Sequence, residues 1–130
     1  MNDQLILAVM YKAEEILPGK YLHFDNLFAS LQESFTNLNE EELNQTCLEL
    51  YKKEYLSIVF KSEKGQKRVV RINGITLDGH EYYKTLLPPS VKQKVKDCVS
   101  KLGNSALNLL PTIIELAAKL SIDDIVKQIH

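Results

Sequence analysis

A chain of 130 residues with 45% hydrophobic and 25% charged side chains fits one domain, or one small domain with an appendage, and excludes a disordered or collagen-like chain. Its formal net charge of -1 hides an asymmetry: residues 1 to 60 hold ten acids against four lysines, net -6, whereas residues 61 to 130 hold twelve basic residues against seven acids, net +5. Overall charge therefore says little about partners, and any nucleic-acid contact has to come from a local patch.

No basic region leading into an apolar run opens the sequence, which argues against a secretion signal. The most apolar segment, SALNLLPTIIELAAKL, is broken by Asn108, Pro111, Thr112, Glu115 and Lys119, so no membrane span is expected. Cys47 and Cys98 have no partner of their own kind and no histidine at ligand spacing; they read as small core groups in a reducing cytoplasm, with no cofactor or metal implied.

The first element is a helix, with Leu5, Ile6, Val9, Met10 and Ala13 on one side, Ile16 and Leu17 extending the stripe, and Pro18-Gly19 stopping it. A second helix is expected from about Asp25 to Ser34, capped by Asp25 or Asn26, with Leu27, Phe28 and Leu31 inward and Phe24 as an apolar lead-in. A third begins at Asn39, which can cap it while Glu42 bonds back and Leu38 and Leu43 form a hydrophobic staple. Leu43, Cys47, Leu50 and Tyr51 mark its inward side, and it should end near residues 53 to 55.

YLSIVF and KRVVRI read as two strands joined by the polar segment KSEKGQ, whose glycine can take positive φ at the turn. Strict alternation puts Val70 and Ile72 on one face of the second strand and Lys67, Val69 and Arg71 on the other. In ITLDGHEYY, Thr76 is a good cap for a helix starting at Leu77, and Asp78 suits its positive end. Gly79 is poor inside a helix by about 1 kcal/mol relative to alanine. Its presence predicts another element crossing too closely for a side chain. Pro88-Pro89 ends this helix.

Beyond it, Val91, Val95, Cys98, Val99 and Leu102 form a clean helical stripe with Gly103 as C-cap. Pro111 kinks the following segment or starts a new helix, and Ser121 with Asp124 caps a last one. The expected class is mainly α with a small β-hairpin (α+β), divided into residues 1-87 and a helical extension over residues 88-130. The density of apolar groups in that extension predicts docking on a partner or a homodimer through the C-terminal helices.

Three helices, a strand, a charged turn, a strand and a helix is the order of a winged helix-turn-helix. ITLDGHEYYKTL resembles the ITxxGxxYL segment of the small YjcQ-like proteins of Gram-positive bacteria and their phages, and NEEELNQTCLELYKKEYL resembles that family's third helix running into the wing. The resemblance covers residues 1 to 87, with Thr76, Gly79 and Tyr83 falling on the family's threonine, glycine and aromatic positions. It implies a fold more than a function, since none of these residues is catalytic.

In a winged helix the third helix enters the major groove and the hairpin touches minor groove or backbone. That placement makes Asn44 and Gln45 candidate readers of adenine edges, Lys52 and Lys53 candidates for phosphate or guanine, and Lys61, Lys64, Lys67, Arg68 and Arg71 a basic wing for double-stranded DNA. Glu40, Glu41, Glu42 and Glu49 oppose this, because phosphate repels acids on every sequence alike. The other expectation is a protein-interaction adaptor whose acidic helix meets a basic partner. His80 reads as an ordinary helix histidine, Glu40 to Glu42 as a solvated helix start, and Gly65 belongs to no phosphate-binding pattern, so no enzyme is expected.

Overall fold

A computed structural model describes residues 2-129. The chain is mainly helical, with a small three-stranded antiparallel sheet of order β1-β3-β2. The elements are α1 (Asp3–Glu14), β1 (Leu22–His23), α2 (Phe24–Gln32), α3 (Glu40–Lys52), β2 (Leu56–Glu63), β3 (Gln66–Ile75), α4 (Leu77–Leu86) and α5 (Pro89–Leu102). A 3-10 turn (Asn104–Leu109), α6 (Leu110–Ala117) and α7 (Ile122–Ile129) follow.

α1 is buried on every side, from Leu5 to Tyr11 without a break. The reason is the tail. Ala106, Leu107, Leu110 and Ile113 share one core with Leu5, Met10, Leu27 and Leu43, so the division at residue 88 is not a division of the core. Of the apolar groups expected to pair two chains, Val95, Cys98, Val99, Ala117 and Ile125 are buried within the one chain, and Val91, Leu102, Ile122, Val126 and Ile129 are half-buried. Pro111 starts α6, and Lys94 Nζ donates to the carbonyls of Ala117 and Leu120, satisfying the free C-terminal end of that helix.

An ionic clamp fixes α5 to α1. Glu14, only 11% exposed, pairs with Lys92 and Lys96, the latter at 3.0 Å. Burial raises the Glu14 carboxyl pKa, but the two lysines outweigh it and hold the group below its ordinary 4.5. A depressed carboxyl pKa stabilises the fold above the unfolded value, and that contribution fades as pH falls through the folded one. Glu14→Gln is therefore expected to cost about 2 kcal/mol at pH 7, between the surface and buried limits for ion pairs. Melting temperatures of the two proteins should converge only at pH values below the usual carboxylate range.

Local signals set most of the ends. The Asn39 side chain accepts from the Glu42 N–H at 2.8 Å, and Leu38 and Leu43 are buried on either side of it; the return bond expected from the Glu42 carboxylate is not formed among the described residues. α2 starts one residue early, at Phe24, with His23 at the cap position and no side-chain cap, so Asp25 sits in the first turn instead of ahead of it. α3 closes in a Schellman turn: Tyr55 N–H reaches Leu50 O, Glu54 N–H reaches Tyr51 O, and Glu54 takes φ 65°. Leu17 and Tyr51, expected inward, are exposed.

The hairpin turns on Lys64 and Gly65, φ 52° and 78°, the paired positive values of a two-residue type I′ connection. Here strict alternation fails. Ile58 pairs with Ile72 and Phe60 with Val69, leaving Val70 as an extra residue in β3; Asn73 is a second, between Ile72 and Gly74. The bulge at Val70 brings Val69, 6% exposed, inward with Ile72 and leaves Val70 37% exposed, the reverse of the expectation for those two valines. β1 is two residues long, pairing Leu22 with Ile72 and His23 with Arg71.

Candidate nucleic-acid interface

The hairpin is anchored to α3 and α4 before any of its charges meets solvent. Asn44 leans from α3 onto β3, where its Nδ2 donates to Lys67 O at 3.0 Å and its Oδ1 accepts from Val69 N–H at 2.8 Å. At the other end Thr76 caps α4, accepting from Gly79 N–H at 2.9 Å while its hydroxyl donates to Glu54 O and its N–H to Tyr55 O. A Cβ placed on Gly79 would fall 2.1 Å from Tyr55 O and 2.6 Å from Ile75 Cγ2. The crossing element that Gly79 predicted is the chain leaving α3.

Asn44 is therefore not a base reader. It is 3% exposed, with both ends of its amide committed to backbone. The position was legible in the helix period, since residue 44 lies three before buried Cys47 and four before buried Leu48; its polar side chain misdirected the reading. Gln45 is exposed, and its Nε2 donates to Glu41 Oε1 at 3.1 Å.

The basic residues divide by what they touch. Arg68 Nη1 donates to Glu41 Oε2 at 2.6 Å and its Nη2 to Gln66 Oε1 at 3.2 Å. The Glu41 carboxyl is held below its ordinary pKa by the Gln45 amide first and the Arg68 guanidinium second. Lys52 pairs with Glu49 at 3.6 Å and Lys61 with Glu63 at 3.4 Å, both exposed and individually weak. Lys53, Lys64 and Lys67 are exposed and have no ion pair among the described residues.

Two aromatic contacts that sequence reading missed brace the hairpin. Lys67 Nζ stands 5.1 Å from the centre of the Phe60 ring, which meets Tyr51 edge-on at 5.4 Å, so Tyr51, Phe60 and Lys67 form a row from α3 across β2 to β3. Arg71 lies 4.4 Å over the Tyr21 ring, half-buried, with its Nε enclosed and without a hydrogen-bond partner among the described residues. The signal for both was an aromatic residue within reach of a strand cation, invisible until the strand register is known.

Beside the hairpin, a cleft of about 470 Å³ opens between the starts of α2 and α3. Asp25, Glu40, Glu41 and Glu63 line it together with Lys61 and Arg68, so its balance is acidic. His80 is exposed on α4. Among the described residues no group of three or more His, Cys, Asp or Glu side chains could hold a metal ion, and no helix is long and apolar enough to cross a membrane. Compared with protein-family models, with curated proteins and with solved structures, the chain matches none.

Proposed function

We propose that residues 1 to 87 form a winged helix-turn-helix, as the resemblance to YjcQ-like proteins implies, and that the protein binds double-stranded DNA through the hairpin as a small transcription-regulator-like or phage-related accessory protein. The element order and the pairing of β1 with β3 support the fold. The observation that carries the function is the row of exposed lysines on the hairpin, Lys61, Lys64 and Lys67, with Lys67 braced on Phe60.

Contact of this kind is led by phosphate and weakly dependent on sequence. Asn44 has no free edge, and Glu40 and Glu41 put negative charge where α3 would approach a groove. Lys52 and Lys53 extend the basic surface at the far end of α3. The test is titration of a random duplex at low salt with the wild-type chain and with a Lys61→Ala, Lys64→Ala, Lys67→Ala variant. The variant should bind every duplex more weakly and flatten the log-log salt slope by about 2.7, at roughly 0.9 per phosphate contact. A wild-type chain with no detectable binding at low salt overturns the proposal.

The acidic cleft favours a second reading, a protein-interaction adaptor that takes a basic segment of a partner beside Asp25 and Glu40. Under it, Asp25→Lys with Glu40→Lys abolishes complex formation and the hairpin lysines are dispensable.

A further inference from the structure

A single carboxylate engages two of the side chains expected to meet DNA. Glu41 Oε2 accepts from Arg68 Nη1 at 2.6 Å, and Glu41 Oε1 accepts from Gln45 Nε2 at 3.1 Å. A carboxylate offers a guanidinium the same paired anionic oxygens that a phosphate does, and Arg binds either in the same fork geometry. Here the contact is a single one, Nη1 to Oε2, with Nη2 on Gln66, so Glu41 takes one charged donor that a DNA phosphate could otherwise accept from.

We propose that Glu41 is an internal competitor for DNA phosphate: it neutralises Arg68 and ties Gln45 in the free protein, and so sets the affinity of the hairpin for duplex. This rests on the duplex reading above and adds the residue that regulates it. The contact is suited to displacement. Its side chains are 37% and 53% exposed, so solvent and salt screen the attraction. Its partners belong to different elements, α3 and β3, 27 positions apart, so the hairpin can release Arg68 toward DNA without disturbing the Asn44 anchor, which uses only β3 backbone.

Asp25, Glu40 and Glu63 line the same cleft, so removing any acid there lowers general repulsion, and the test has to isolate the pairing from that background. Wild type, Glu41→Gln, Arg68→Ala and the double variant are titrated with a random duplex over a range of salt. Glu41→Gln retains an amide oxygen able to accept from Gln45 and replaces the charged acceptor facing Arg68 by a neutral NH2. It should bind roughly 3- to 10-fold tighter at low salt with a salt slope steeper by about 0.9, the signature of one further phosphate contact. Arg68→Ala alone should weaken binding, because it leaves Glu41 as an uncompensated acid beside the hairpin, and in the Glu41→Gln background it should return binding to about the wild-type level. A double variant that still binds tighter than wild type reflects general repulsion and overturns the competitor role, as does Glu41→Gln binding no tighter than wild type. Absence of wild-type binding overturns the duplex reading itself, and is seen before any variant is compared.

Discussion

Gly79→Val is expected to lower the melting temperature by roughly 10 °C or more, the scale of a 3 kcal/mol loss in a chain of this size. The physical cause is the first atom added, since a Cβ at residue 79 sits 2.1 Å from the Tyr55 carbonyl oxygen, far inside contact distance. That oxygen cannot yield, because it accepts the Thr76 N–H and belongs to the turn that closes α3. Gly79→Ala should accordingly carry most of the cost even though alanine is the better helix former by about 1 kcal/mol. Thermal unfolding of the two variants checks this. An alanine variant as stable as wild type would show that α4 can shift away from Tyr55, and the junction would lose its claim to fix the hairpin against α3.

That junction was legible because its signals are local. Thr76 caps α4 three residues before the N–H it accepts from, Asn39 does the same for α3, and Gly65 stands at a turn needing positive φ. Pro111 and the Ser121-Asp124 pair marked the starts of α6 and α7 in the same way. What escaped sequence reading depends on partners distant in the chain. β1 is two residues with no pattern of its own, and exists because β3 has a free edge beside it. The bulges in β3 appear only once β2 sets the register, and they reverse the faces of Val69 and Val70. The burial of α1 on all sides awaits a tail whose apolar stripe looks equally ready for a second chain.

The candidate interface shows the same division. That Lys61, Lys64 and Lys67 are exposed follows from a polar turn at a hairpin tip, which is a local inference. That Arg68 and Gln45 are both held by Glu41 does not, since Arg68 lies 27 positions from its partner and the pair forms only where the hairpin folds back over the start of α3. Composition could count these charges, but their availability is a property of the tertiary structure.

Asn44→Ala is expected to destabilise the protein by about 3 kcal/mol, because it strands a buried Val69 N–H and removes a donor from Lys67 O, each such loss costing about 1 to 3 kcal/mol. Under the proposed duplex binding, the loosened hairpin should weaken binding alike on all duplexes, whereas loss of a base reader relaxes discrimination at one position by roughly 1 to 3 kcal/mol. Asn44→Asp separates the two ends of the amide. One carboxylate oxygen can still accept from Val69 N–H, while the other faces the Lys67 carbonyl, acceptor against acceptor. Burial and that carbonyl both disfavour the charged form, so the folded-state pKa of the new carboxyl is raised, and its protonated form can donate to Lys67 O as the amide did. The penalty should therefore be full at pH 7, shrink as pH falls through the raised pKa, and be smallest below the unfolded value. Stability of Asn44→Asp relative to wild type, followed by denaturant unfolding from pH 7 downward, measures it directly. A pH-independent difference would mean that residue 44 is solvated and free, and would return it to the surface proposed to meet DNA.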